Sequence, residues 1–185
     1  MANLIILEGV SRTGKSSISE ALTSKYAFRN ISVKVKSPKF IDNLPDFYHG
    51  MHVISSEFFT SFPDQTFVLD RSILSELVYP KALNRKSYMN ETIALHFLAE
   101  NDFKLFLFDN TYEYYLKNSP KESLYTPEQF EIQRNLFNEK FELLKNYSQD
   151  PSWQSRFIRI EHESNQLHRK HNIIEKHIWK EKQLL

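Results

Sequence analysis

Apolar residues fall along this chain in two alternating patterns. Short runs without polar interruption read as strands buried on both faces, the mark of a parallel sheet: Asn3 to Glu8, Ile31 to Lys36, Thr66 to Asp70, Phe103 to Asp109 and Arg156 to Glu161. Between them the apolar spacing turns helical, around Ser16 to Phe28, Asp46 to Phe62, Ile73 to Leu83, Asn90 to Glu100, Thr111 to Lys117, Pro127 to Tyr147 and Gln166 to Lys182. The helix from Pro127 has Thr126 as its N-cap candidate, proline at its first position and Glu128 in its first turn, with Phe130, Phe137, Phe141 and Leu144 on one stripe. Strands alternating with helices predict a doubly wound α/β fold with a mostly parallel, five-stranded sheet flanked by helices. The 185 residues suit one domain over 1–185, with a short lid near 116–126.

Composition narrows the chemistry. Cysteine is absent, which removes disulfides, thiolate catalysis and cysteine-bound metals. No apolar run reaches the roughly 18 residues of a membrane helix, and the first residues run straight into a strand without a basic leader, so a cytoplasmic protein without membrane partners is expected. With 24 basic and 23 acidic residues the net charge is +1, which gives no global attraction for nucleic acid but leaves a local patch open. The Lys- and His-rich C-terminal stretch, with Ile174 and Ile178 one turn apart, reads as a packing helix.

Only 3 glycines occur, and two of them frame Gly9-Val10-Ser11-Arg12-Thr13-Gly14-Lys15-Ser16 between a predicted strand and a predicted helix. This is the phosphate-loop pattern G-x-x-x-x-G-K-[ST] in its required context. Glycines let successive N–H groups turn inward around phosphate oxygens at the positive end of a helix. Gly9, Ser11, Arg12, Thr13, Gly14, Lys15, Ser16 and Ser17 are therefore the candidate nucleotide-binding residues. Lys15 would reach the β- and γ-phosphates, and the Ser16 hydroxyl would hold the Mg²⁺ that accompanies ATP. The strand at 66–70 ends in Asp70-Arg71, at the strand end that lines the ligand crevice of such a fold. Asp70 is the second candidate for Mg²⁺, and Arg71 a candidate to grip a phosphoryl group. A GTPase switch is disfavoured, since no Asp-x-x-Gly follows this strand and no Asn-Lys-x-Asp occurs later.

The run Leu7-Glu8-Gly9-Val10-Ser11-Arg12-Thr13-Gly14-Lys15-Ser16 and the segment Asp70-Arg71-Ser72-Ile73-Leu74-Ser75, with Tyr79 beyond, resemble the thymidylate kinase and deoxynucleoside kinase group of P-loop phosphotransferases. The order of elements is similar over nearly the whole chain; only these two motifs are specific. The resemblance implies an ATP-dependent nucleotide kinase in which Arg12, Lys15, Asp70 and Arg71 are catalytic. It also implies that Arg12 is closest to the thymidylate kinase design with its arginine inside the loop, since the stretch Leu116 to Thr126 holds lysines and no arginine. A guanidinium there can stabilise charge on the transferring group.

The departures bear on the acceptor. Lys36-Ser37-Pro38 stands where relatives have Arg-Glu-Pro or a catalytic glutamate, and a serine cannot take a proton from a sugar hydroxyl at neutral pH. A monophosphate acceptor needs no such base. Ser11 replaces the usual sugar-contacting aspartate, and no arginine occurs between Asn30 and Asp70, so Lys36, Lys39, His49 or His52 would have to substitute. Phe40, Phe47, Tyr48, Phe58, Phe59 and Phe62 offer base-stacking faces or core packing. The expected partners are ATP and a small nucleotide acceptor, with a homodimer left open. Alternatives are a deoxynucleoside kinase, a nucleotide-binding protein weakened in catalysis, and a polynucleotide 5′-kinase.

Overall fold

The computed structural model describes residues 3–32, 57–59, 61–82, 84, 86–87, 89–118, 125–161 and 167–179. Its centre is a five-stranded sheet of β1 (Leu4–Glu8), β2 (Arg29–Ser32), β3 (Phe67–Asp70), β4 (Phe103–Asp109) and β5 (Phe157–Glu161) in the order β2-β3-β1-β4-β5. Every pairing is parallel, as the uninterrupted apolar runs demand. The helices are α1 (Lys15–Tyr26), α2 (Ile73–Ala82), α3 (Glu91–Ala99), α4 (Tyr112–Lys117), α5 (Pro127–Lys145), α6 (Pro151–Gln154) and α7 (Leu167–Trp179).

Alternation along each strand divides the core into two layers. Leu4 and Ile6 of β1, with Phe103, Leu105 and Leu107 of β4, face α2, α3 and α5. Ile5 and Leu7, with Phe106 and Phe108, face Ile18 and Leu22 of α1 and Ile174 and Ile178 of α7. A central strand flanked by helices on both faces has nowhere to place polar side chains until it ends. β1 is fully buried over its whole length, and its single charged residue, Glu8, is the last.

The ends of the elements carry their own chemistry. Thr126 caps α5 in a reciprocal capping box with Gln129, and Pro127 occupies the first turn. Asp150 caps the short α6, an element the apolar spacing did not predict because four residues carry no period. Pro80 lies inside α2 and cannot donate to the Glu76 carbonyl; the Ser87 hydroxyl reaches that oxygen at 3.4 Å. Asp109, the last residue of β4, accepts from Arg134 of α5 at 2.7 Å and from Arg159 of β5 at 3.2 Å, and Arg159 also reaches Glu142 of α5 at 2.7 Å. This ion-pair chain ties the strand ends to α5.

β2 begins at Arg29, ahead of the expected Ile31, because its register follows β3: Arg29 pairs with Phe67 and Ser32 with Asp70. Arg29 and Asn30 are exposed on this edge, so no apolar signal marked them. The remainder of that expected strand (33–36), most of the helix around 46–62, the 119–124 part of the lid and the end of the last helix lie outside the described residues.

One local feature yields a stability test. α1 ends at Ala27 in the left-handed region, with φ 58°, where its N–H still reaches the Thr23 carbonyl. A Cβ is disfavoured there and glycine is not. Ala27→Gly is expected to stabilise the fold by about 0.5–1 kcal/mol, read from the midpoint of urea unfolding.

Candidate active site

β1 feeds the loop 9–14, which opens α1. Gly9 has φ 128°, and a Cβ there would stand 2.5 Å from the Phe108 carbonyl oxygen of β4. The loop can leave the sheet here only because residue 9 has no side chain. Gly14 has φ 93° and stands at the N-cap of α1, whose first turn holds no acidic residue to offset its positive end. Within the loop, the Thr13 hydroxyl donates to the Val10 carbonyl at 3.0 Å. Lys15 is buried, and its Nζ donates to the Val10 carbonyl at 2.7 Å and to Thr13 Oγ1 at 3.0 Å. Burial, and then the neighbouring Arg71, push the Lys15 pKa well below the ordinary lysine range.

Register places the second motif beside the first. Leu7 pairs with Asp70, so the strand ends meet across the crevice. The Ser16 hydroxyl donates to Asp70 Oδ2 at 2.5 Å. A hydroxyl and a carboxylate so close fit a hard, oxygen-seeking cation that takes its remaining ligands from phosphate and water. No cluster of three or more His, Cys, Asp or Glu that could hold a metal ion exists among the described residues.

Arg71 has φ 75° and Arg12 φ 63°, both left-handed and both at the crevice. Non-glycine residues hold such angles at a cost of roughly 1–3 kcal/mol each. The Arg71 guanidinium donates to Tyr79 Oη at 2.5 Å and to Ser11 Oγ at 3.0 Å, and it lies 4.9 Å from the Tyr79 ring centroid. Burial opposes its charge, but Tyr79, Glu8 and Asp70 outweigh that and hold it protonated. Tyr125, at the far end of the expected lid, also bonds Ser11. Arg12 stands 5.9 Å over the Tyr115 ring, and its Nη1 is buried without a hydrogen-bond partner among the described residues. A buried charged donor without a partner leaves hydrogen-bonding capacity that an anion could satisfy.

Arg12, Gly14, Lys15, Ser16, Ser17, Asp70 and Arg71 thus line one cleft of about 440 Å³, joined by Tyr114 and Asn118 from α4 and its end. Of the residues expected at the nucleotide, Gly9, Ser11 and Thr13 shape the loop behind it. Lys36, Ser37, Lys39, Phe40, Asp42, Asp46, Phe47, Tyr48, His49 and His52 lie outside the described residues. Phe59 is core, packed on Phe67 and Phe97. Phe58 and Phe62 are partly exposed and sit with Arg29 and Phe67, the first residues of their strands, at the end of the sheet opposite the phosphate loop.

Glu8 escaped the sequence reading. Its carboxylate is fully buried and accepts from the Ser72, Leu74 and Ser75 N–H groups at 2.7, 3.1 and 3.4 Å and from the Ser75 hydroxyl at 2.6 Å. It satisfies the free N–H groups that open α2 and so fixes Arg71 against the loop. The available signal was a lone carboxylate ending an apolar strand, answered by Ser-x-x-Ser before a helix. Tyr114, Asn118 and Tyr125 carried no such signal.

No family model matches the chain, and no curated protein matches its sequence. Solved structures match its shape. A YorR protein from Bacillus subtilis, solved with phosphorylated GDP, has a TM-score of 0.70 at 15% identity over 97% of this chain and 98% of its own. A deoxyadenosine kinase from M. mycoides, with dCMP and dCDP, has 0.61 at 16% over 95% and 98%. Thymidylate kinase from Candida albicans has 0.51 at 18% over 98% and 92%. The fold is that of the nucleotide and deoxynucleoside kinase group of P-loop proteins.

The Glu8 bonds predict a pair of outcomes. Glu8→Ala leaves buried N–H groups unmatched and should cost roughly 2–4 kcal/mol in denaturant unfolding. Glu8→Gln keeps an acceptor for them and should stay within about 1 kcal/mol of the parent at neutral pH. Burial raises the Glu8 pKa in the folded protein, despite the Ser75 and Arg71 contributions that lower it. The folded state therefore binds this proton more tightly. Stability relative to Glu8→Gln is greatest below the ordinary carboxylate range and declines as pH rises through the folded pKa.

Proposed function

We propose that this protein is an ATP-dependent phosphotransferase that passes the γ-phosphoryl group to a (deoxy)nucleoside monophosphate. The observation that carries the reading is the charge at the crevice. Among the described residues Arg12, Lys15 and Arg71 line it with a single carboxylate, Asp70, which is bonded to Ser16, and one Arg12 nitrogen is buried without a partner. Such a site asks for polyphosphate.

In this reading the N–H groups from Thr13 to Ser17 cradle the donor phosphates at the α1 terminus. Lys15 turns from the Val10 carbonyl to the β- and γ-phosphates. Ser16 and Asp70 would hold Mg²⁺, and the ion would supply charge neutralisation for the phosphate oxygens. An acceptor phosphate oxygen attacks the γ-phosphorus, the bond to the β,γ-bridging oxygen breaks, and ADP leaves with that electron pair. Arg12 stabilises the charge spread over the transferring group. Arg71, braced by Tyr79 and Ser11, faces the acceptor phosphate.

The acceptor class follows from bases. A nucleoside hydroxyl must lose a proton, and the crevice offers no carboxylate besides Asp70 among its described residues. A monophosphate brings its own anionic nucleophile. The likeness to a deoxyadenosine kinase supports a nucleoside acceptor as the second reading.

An acceptor screen with Mg-ATP over nucleosides, their monophosphates and a 5′-hydroxyl oligonucleotide decides between them. At least one deoxynucleoside monophosphate should be phosphorylated, with much weaker transfer to the matching nucleoside. In the same assay Arg12→Lys should lower kcat by about 10³-fold while ATP affinity changes little. Robust nucleoside phosphorylation that disappears in Asp42→Asn or Asp46→Asn would promote the second reading. Nucleotide binding without transfer to any acceptor would exclude both.

A further inference from the structure

Lys170 of α7 is fully buried, whereas Lys176, the other lysine of the helix, is not among the buried residues. Its spacing with Ile174 and Ile178 puts it on the inward stripe. The Nζ donates to the Thr13 carbonyl at 3.2 Å and to Asn110 Oδ1 at 2.9 Å, and it lies 4.3 Å from the Tyr114 ring centroid and 5.7 Å from that of Phe108. No carboxylate pairs with it among the described residues. A buried lysine ordinarily has a counter-ion or extends its head to water. This one has two neutral oxygens and an aromatic face.

Resting on the reading of the crevice as the donor site, we propose that Lys170 is a positioning residue for the phosphate loop: it fixes the Thr13 carbonyl from behind and sets a cation there that strengthens donor polyphosphate binding. Two arguments carry this. The Thr13–Gly14 peptide is planar and trans, so its C=O and N–H point in opposite directions. Holding the carbonyl toward α7 turns the Gly14 N–H to the other side, where Gly14 lines the cleft. The charge also stands close to the site, since the ammonium lies against the ring of Tyr114, which lines the same cleft as Gly14. Burial in turn pushes the Lys170 pKa down to about 8, so the fold holds this cation against its desolvation. An anion across the loop offsets that strain.

Two variants separate this role from plain packing. Lys170→Met keeps the length and apolar stem but removes the charge and donor. Asn110→Asp keeps the lysine and gives it a counter-ion. Calorimetric Kd for Mg-ATP, steady-state KM for ATP and for the acceptor, kcat and thermal midpoint are measured for each against the parent. Lys170→Met should raise the ATP Kd and KM by roughly tenfold or more, with the acceptor KM within about two-fold. Its thermal midpoint should hold or rise, because an uncompensated buried charge has gone. Asn110→Asp should shift the ATP Kd in the same direction without loss of stability. Parental ATP affinity in both variants, with a lowered midpoint for Lys170→Met, would overturn the proposal and leave Lys170 as packing. Should Lys170→Met fail to fold, unchanged ATP affinity in Asn110→Asp overturns it alone. A parent protein that binds no Mg-ATP would overturn the crevice reading and this proposal together; parental binding with unaffected variants overturns only this one.

Discussion

Uncompensated positive charge at the end of β1 is the constraint on which the site depends. Lys15 and Lys170 are buried and Arg71 is half-buried beside the same loop, while the nearby carboxylates have hydrogen bonds of their own: Glu8 with the N–H groups of α2, Asp70 with Ser16. Burying cations without matched anions is expensive in a low-dielectric setting. The topology enforces it. The central strand of a parallel sheet is apolar on both faces, and its polar chemistry is pushed to the C-terminal end, where α1 adds its own positive terminus. In the proposed reading, a polyphosphate would relieve these groups together.

Backbone strain serves the same arrangement. Arg12 and Arg71 both occupy left-handed conformations that glycine would adopt freely. Each nevertheless has a side chain in contact, Arg12 over Tyr115 and Arg71 between Tyr79 and Ser11. Both flank tightly held backbone: Glu8 bonds the Ser72 N–H just after Arg71, and Gly9, three residues before Arg12, passes close to Phe108. Arginine at these two positions is costly for folding and useful only if its guanidinium has something to hold. At the crevice the two strained non-glycine residues, Arg12 and Arg71, are both charged, which ties the energetics of the loop to its chemistry.

The phosphate loop could be read from the residues because its chemistry is mostly backbone chemistry, written as two glycines, a lysine and a serine at fixed spacing. Asp70 and Arg71 were legible for a related reason: they end an apolar strand, and strand ends in this architecture face the crevice. The sheet itself was visible as apolar runs between helical periods, except where β2 starts with polar edge residues Arg29 and Asn30. What stayed hidden depends on contacts distant in sequence. Nothing local distinguishes Lys170 among the lysines of α7 until its alignment with Ile174 and Ile178 is seen to face the loop. Phe58 and Phe62 show the converse case, since aromatic composition left both base stacking and core packing open and the fold carries them to the opposite end of the sheet.

The most direct test of this account measures stability against ligand rather than rate. Thermal unfolding of the parent and of Lys15→Ala would be followed with increasing Mg-ATP and, separately, inorganic tripolyphosphate. A ligand that binds only the folded protein adds about 2.7 kcal/mol of stability at a hundredfold excess over Kd. Both anions should raise the parent's midpoint in this way, and Lys15→Ala should fold but respond to neither at the same concentrations. A parent indifferent to both anions, or a shift that survives intact in Lys15→Ala, would contradict the assignment of this crevice as a polyphosphate site.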